Sequence, residues 1–418
     1  MIAEIIAAGS EMLTPHRQDT NSLFLTAQLN DLGVEVAFKT IVGDSLEHLT
    51  SAARIALSRA DVVLFSGGLG PTEDDLTREA LAAALGLGLH RDDDLLAGLR
   101  RRFADRGIAM PPNNLKQADV LDGAAILPNR TGSAAGQFLQ ATVDGKPRIS
   151  ILLPGPPSEL KTLFTEQCRP RLAALLPHFH IARRLLRMAL IPESQVDART
   201  APLYTRYTDV DTTILAGSGE IQLHFACTKP SLAEAQARVD ELAGRIEQEM
   251  GDNIFSAHGE SLPEIVHLLL STRHLTLTAA ESCTGGLLAQ RLTAVPNSSE
   301  TFIGGVVVYT PELKTEFVGV PKHLIESAGS VSQEVACSLA EGIRTRTGST
   351  FGIGITGLAG PGGGPPGPDE KKPIGLVYIG LADRNGTEAR EFNIPGDRDR
   401  VRLWATQHAL EMLRRKLL

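Results

Sequence analysis

Short apolar runs alternate with longer amphipathic ones along this chain. "IAEIIAA" (2–8), "VEVAFKTIV" (34–42) and "DVVLFSGGLG" (61–70) are apolar stretches bounded by polar or glycine-rich turns, and each predicts a strand, the last a buried one running into a glycine loop. Between them Leu25, Leu29 and Leu32 recur at helical spacing up to Gly33, and residues 46–59 and 76–85 repeat the pattern. Strand and helix in alternation predict a mostly parallel sheet covered on both faces. Asp144-Gly145 between "GQFLQATV" and "RISILLPG" predicts a hairpin.

From 173 to 256 the pattern changes. "ARRLLRMALI" reads as a strand and "ESQVDARTAPLY" as a helix. "TTILAGS" and "EIQLHFACT" read as paired strands about a Gly217-Ser218-Gly219 turn, and "SLAEAQARVDELAGRIEQEMG" as a long amphipathic helix. The small and polar "SAHGESLPE" then marks a linker near 257. Strand–helix alternation resumes with a helix at 262–272, strands in "LTLTAAE", "GGVVVYT" and "TFGIGITG", and a helix over 332–347. "GPGGGPPGPDEKKP" is too rich in Pro and Gly to be regular. A hairpin across Arg384-Asn385-Gly386 and a helix carrying Trp404 and Leu410 complete the reading. The expected class is α/β: two α/β domains, 1–172 and 257–418, joined by a small α+β module at 173–256.

Composition narrows this only slightly. A length of 418 residues calls for more than one core. Apolar and charged shares of 42% and 22% are ordinary for a folded globular chain. A net charge of −8 and 4% aromatic residues argue against an extended nucleic-acid surface or base-stacking platforms. Cys168, Cys227, Cys283 and Cys337 form no close pair, so neither a zinc site nor a disulfide framework is expected. "MIAEIIAAGSEML" has no basic segment and its apolar run is interrupted, and no stretch reaches membrane-spanning length. The expected setting is the cytoplasm, with reduced thiols.

Candidate chemistry clusters at strand ends. In "TAAESCTGGLLAQRLT", Ser282, Cys283 and Thr284 precede Gly285, Gly286 and a helical run. A capped helix start is the plain reading; a nucleophile beside free N–H groups is the sharper one. "YTPELK" sets Tyr309 and Lys314 at the end of the next strand, where a desolvated lysine can take a proton from serine. Cys283 is the rival nucleophile. "ITGLAGPGGG" adds Thr356 with Gly357, Gly360 and Gly362, and "IPGDRDRVR" adds Arg398 and Arg402, suited to a phosphate. In the first domain Gly67, Gly68 and Gly70 can cradle phosphate, and Asp74 and Asp75 can hold a hard divalent cation; a tight acidic turn is the alternative. Glu11, Asn21, Asp44 and "LPGPPSEL" come from neighbouring strand ends.

"TAAESCTGG", "VVVYTPELKTEFVGV", "GSVSQEVA", "GITGLAGPGGG" and "GDRDRVR" resemble, in order and spacing, the nicotinamide mononucleotide deamidase domain of the competence/damage-inducible protein A (CinA) family over 258–418. The resemblance implies hydrolysis of the carboxamide to the acid with release of ammonia, without a cofactor. It implies Ser282 as nucleophile, Lys314 as base, and Tyr309 and Thr356 as groups that position them. Thr284, Gly285, Gly286, Gly357, Gly360 and Arg398 are then binding positions. The first domain resembles the molybdopterin-binding fold, with "GGLG" where molybdenum-cofactor enzymes carry "GGTG". That branch implies an ADP-ribose pyrophosphatase of pyridine nucleotide salvage. Glu11, Asp44, Asp74 and Asp75 would hold a divalent metal such as Mg2+, with K+ as helper, and Gly67, Gly68, Gly70, Thr72 and Asn21 would touch the nucleotide. The middle module resembles a KH-type fold without the RNA-clamping GXXG loop. A homodimer acting on small nucleotides, with neither membrane nor nucleic acid as partner, is the expectation. The alternatives are a nucleotide-sensing competence partner without turnover, or pterin binding by the first domain.

Overall fold

The computed structural model describes residues 1–176, 180–217 and 219–418, and the chain divides into two compact units. The first comprises Met1–Ile181 and Thr228–Ala235, the second Ala182–Cys227 and Gln236–Leu418.

The main sheet of the first unit contains β1 (Ile2–Ala8), β2 (Glu35–Val42), β3 (Val62–Ser66), β4 (Ala125–Leu127), β5 (Gly136–Val143) and β6 (Lys146–Leu153), in the order β2-β1-β3-β6-β5-β4. The pairs β1–β2, β1–β3 and β3–β6 are parallel, while β6–β5 and β5–β4 are antiparallel. Alternation along β1 decides which face each side chain meets. Ala3 and Ile5 pack with Leu25 and Leu29 of helix α1 (Thr20–Asp31), and Ile6 and Ala8 pack with Leu49 and Ala53 of α2 (Leu46–Arg59). Helix α3 (Thr77–Leu85) adds Ala80 and Leu81 to that second face. Asp144 and Gly145 both take positive φ, 50° and 76°, closing the two-residue turn that pairs Val143 with Lys146. Because β1, β3 and β6 run parallel, the loops after them gather at one edge of the sheet.

The middle module is a four-stranded sheet of β7 (His180–Ala189), β8 (Asp211–Gly217), β9 (Glu220–Lys229) and β10 (Ile254–Ser256), ordered β8-β9-β7-β10. Its helices are α4 (Glu193–Tyr204) and α5 (Leu232–Met250). The expected turn between β8 and β9 includes Ser218, which lies outside the described residues.

The five-stranded sheet of the second α/β domain contains β11 (Leu277–Glu281), β12 (Phe302–Val307), β13 (Phe351–Gly357), β14 (Leu376–Asp383) and β15 (Gly386–Asn393), in the order β12-β11-β13-β14-β15. The first three are mutually parallel and the last two antiparallel. Leu277 and Ala279 face a core shared with α6 (Leu262–Ser271), α7 (Leu287–Thr293) and α10 (Arg398–Leu417). Ala280 faces the opposite core, with Val318 of α8 (Pro311–Val318) and Val335 and Leu339 of α9 (Gln333–Thr347). Helix α9 approaches the sheet so closely that a β-carbon on Gly354 or Gly380 would collide with its Ala336 carbonyl. Gly380→Val is therefore expected to destabilise the fold by roughly 2–3 kcal/mol in urea unfolding, far more than Gly244→Ala on the exposed face of α5, where a β-carbon meets open space.

Candidate active sites

Lys314 is the candidate base of the second unit. It sits in α8, whose first turn is capped by the Thr310 hydroxyl accepting from the Leu313 N–H. The helix directs the Lys314 side chain back against the ends of β11 and β12. There Nζ lies 2.9 Å from Ser282 Oγ, 2.9 Å from the Val308 carbonyl and 3.5 Å from the Tyr309 carbonyl. Lys314 is 1% and Ser282 7% exposed. Among the described residues no carboxylate pairs with the amine. Burial pushes its pKa down to about 8. A neutral amine has two N–H donors and one lone pair. With the two carbonyls accepting its protons, the lone pair is left for the Ser282 hydroxyl.

The expectation that the helix starts at the Ser282 motif is corrected by the structure. Helix α7 begins at Leu287, with Gly286 as its N-cap at φ 90°, so Ser282 occupies a separate turn. The cap is supplied by Glu281, a residue overlooked in the sequence reading. Its buried carboxylate accepts from the N–H groups of Gly286 (3.1 Å), Leu288 (3.0 Å) and Ala289 (2.8 Å). A charge at this place satisfies the helix dipole from within and clamps the turn that holds Ser282. The candidate oxyanion donors are thereby reduced. The Gly286 N–H is taken by Glu281 and the Gly285 N–H by the Ser282 carbonyl. The Thr284 N–H has no acceptor among the described residues, and the fully buried Thr284 Oγ1 is likewise unpartnered. An acidic residue directly before a small-residue turn was the only clue to Glu281.

Cys283 is packed away from this chemistry. It is 4% exposed and burial raises its thiol pKa to about 12, which works against a helix-activated thiolate. The structure also corrects two positioning roles. The Tyr309 hydroxyl accepts from Arg398 Nη2 at 2.9 Å and lies on an exposed ring; only the Tyr309 backbone carbonyl reaches Lys314. Thr356 is fully buried and donates to the Ser330 carbonyl at 2.6 Å, not to Ser282 or Lys314. Ser330 is held in turn by Asp369, whose carboxylate also accepts from Lys372. Asp369, another overlooked residue, thus anchors the Pro- and Gly-rich loop.

Arg398 and Arg402 lie one helical turn apart and lean over the site. Arg398 donates to the Gly360 carbonyl (2.7 Å) as well as to Tyr309, and Arg402 donates to the Thr284 carbonyl (3.0 Å). Gly357 ends β13, where a β-carbon would press on the Leu376 carbonyl at 2.8 Å.

In the first unit one cavity of about 530 Å3 opens at the strand ends. The glycine-loop residues Gly67, Gly68, Gly70 and Thr72 line it, together with Asn21, Glu11, Asp44, Asp74 and Asp75. Gly67 and Gly68 take φ 98° and 68°, and a side chain on Gly68 would strike Thr77, which donates to the Gly67 carbonyl. Asn21 is 2% exposed; its amide nitrogen donates to Ser66 Oγ and the Gly155 carbonyl, leaving Oδ1 buried without a partner. The carboxylates are unequally free. Asp44 accepts from the Ser10 N–H and Asp75 from Thr72. Asp74 is exposed, and a hydrogen bond from Thr72 lowers its pKa. Among the described residues no three His, Cys, Asp or Glu side chains form a ready metal cage. Ser66, Gln117 and Ser133 also line the cavity and were not anticipated.

Comparison with known proteins settles the lineage. Residues 259–417 match the CinA C-terminal domain, 4–174 the probable molybdopterin binding domain, and 183–256 the damage-inducible protein CinA KH domain. A CinA-like protein of Koribacter versatilis (strain Ellin345) is 56% identical over 418 residues, covering 100% of both chains. A CinA-like protein of Solibacter usitatus (strain Ellin6076) is 46% identical over 417 residues, covering 100% of this chain and 98% of its own. The chain belongs to the CinA family.

Among solved CinA structures, that of a protein of unknown function from Thermoplasma acidophilum shares 34% identity, covering 40% of this chain and 96% of its own at a TM-score of 0.37. Among the described residues of this CinA-family chain no helix is long and apolar enough to cross a membrane. In this CinA-family chain the buried amine has a measurable cost. A folded pKa of about 8 against an ordinary value of 10.5 means the unfolded chain binds the extra proton between those values. Stability is penalised below pH 8 and recovers as pH rises toward 10.5. Relative to Lys314→Met, the wild type should gain at most about 3 kcal/mol between neutral pH and pH 10.5, read from urea unfolding of both proteins.

Proposed function

We propose that the second unit is a serine–lysine amide hydrolase acting on the carboxamide of nicotinamide mononucleotide. The observation that carries this reading is the 2.9 Å contact between a buried, readily neutralised Lys314 and Ser282 Oγ. Neutral Lys314 takes the Ser282 proton as Oγ bonds to the carboxamide carbon, and the carbonyl electron pair moves onto oxygen. The Thr284 N–H is the free donor beside that oxyanion. The Lys314 ammonium then returns its proton to the amide nitrogen as the C–N bond breaks, releasing ammonia and leaving an ester on Ser282. Lys314 next deprotonates a water that attacks the ester, and the proton passes back to Ser282 as the acid departs. Arg398 and Arg402 supply cationic donors for the nucleotide phosphate.

Ser282→Ala should lower ammonia release by at least about 10³-fold, whereas Cys283→Ala should stay within about threefold of wild type. Because the base must be neutral, kcat/KM should rise with pH and level off above about 8. A serine variant with near-normal turnover, or a rate that falls across this range, overturns the mechanism.

A second activity is proposed for the first unit: hydrolysis of the diphosphate of ADP-ribose. The unpartnered Oδ1 of Asn21, which lines a cavity with the glycine loop and carboxylates, supports it; the Gly67 N–H is held by the Leu153 carbonyl, which leaves Gly68 and Gly70 as the loop's candidate donors. The donors are hard oxygens, suited to Mg2+ or a similar ion. Such an ion commonly takes one or two carboxylates and completes its shell with water and substrate phosphate, so no closed cage is needed. Glu11 and Asp74 would hold it, and when bound it would supply charge neutralisation at the diphosphate and an acidified water. The glycine loop would bind the phosphates, and Asn21 Oδ1 would accept a ribose hydroxyl. With full-length protein assayed on both substrates, chelation should abolish diphosphate cleavage and spare ammonia release; loss of both refutes the metal-free serine mechanism.

A further inference from the structure

Helix α10 has two working faces. Arg398 and Arg402 point toward the Ser282 turn. Leu403 and Trp404, together with Asp399 and Arg400, instead line a cavity of about 710 Å3 whose other wall is Leu190, Ile191 and Ile221 of the middle module. That volume suits a small organic ligand. Nothing in the hydrolytic reading uses it.

Its chemistry is specific. Trp404 is the only tryptophan of the chain, and the Arg400 guanidinium stands 4.9 Å from the centroid of its ring. The indole face thus already carries a cation, as its quadrupole favours. The charges around it are mainly acidic: Glu193, Glu220 and Asp399 against Arg400. Glu220 is spoken for by Arg187 at 2.6 Å, and Asp399 lies 3.6 Å from Arg402. Glu193 is exposed at the first turn of α4 and has no ion-pair partner among the described residues.

We propose that this cavity binds a small planar aromatic cation of the N-substituted pyridinium class. The ring stacks on Trp404 in place of the Arg400 guanidinium, and its positive charge is balanced by Glu193. The site is separate from the serine–lysine centre and does not depend on the activity proposed there. The amidase substrate proposed above belongs to the same chemical class, so the test has to tell the two sites apart.

The lone indole makes fluorescence a local reporter. Titrating 1-methylnicotinamide into the full chain under selective tryptophan excitation should give saturable quenching. Uncharged nicotinamide should bind at least about tenfold more weakly. Glu193→Lys, a change at an exposed position, should weaken binding by a similar factor. Arg400→Ala, which uncovers the indole, should tighten it. Arg398→Ala, at the serine–lysine centre, should leave it in place. Linear quenching indifferent to Glu193→Lys, equal binding of the uncharged amide, or loss of binding in Arg398→Ala alone would each overturn the proposal.

Discussion

An amine held out of water without a counter-charge organises the second unit. Lys314 could be buried with a carboxylate, and it would then be a permanently charged structural ion. Its partners are instead two carbonyls and a hydroxyl, none of which stabilises the ammonium as a carboxylate would. Everything nearby serves that condition. Helix α8 sets the direction of the side chain, the apolar layer of Ala280, Val318 and Val335 keeps water away, and Glu281 fixes the turn on which the hydroxyl sits. The negative charge of Glu281 is absorbed by three N–H groups of the next helix.

The two α/β sheets solve the same problem by different means. Each collects loops at the carboxyl ends of parallel strands, where backbone N–H groups and short side chains converge. In the first unit the glycine loop and a fringe of carboxylates make an open, hard-oxygen cavity. In the second, the corresponding edge buries an alcohol and an amine. The proposed diphosphate and carboxamide substrates would call for these different environments: one requires its charge to be neutralised, the other requires a nucleophile at ordinary pH.

Much of this was legible in the chain. The period-two and helical patterns located β1–β3, α1, α2 and α9, because those elements are amphipathic or flanked by clear caps and turns. Ser282 and Lys314 were legible because reactive groups at strand ends stand out against an apolar background. The start of α7 was misplaced because Glu281, not Ser282, performs the capping, and a carboxylate reaching forward from the end of a strand leaves no local sequence signal. Thr356 and Tyr309 stand near strand ends in the sequence, but their hydrogen bonds to Ser330 and Arg398 depend on tertiary placement and leave no sequence signal. Asp369 was hidden within a run of prolines and glycines whose irregularity gave no hint that one residue pins it.

Sequence distance separates the parts of the second site. Ser282 and Lys314 meet across 32 positions, whereas Arg402 reaches the Thr284 carbonyl across 118 and Arg398 reaches Tyr309 across 89. Closing the longer loops costs more chain entropy, so the Ser282–Lys314 pair can form before the arginine helix settles over it. The groups proposed for bond-breaking and for ligand binding therefore reside in segments that can diverge independently. A lineage could exchange the arginine helix for another and leave the same hydroxyl and amine in place.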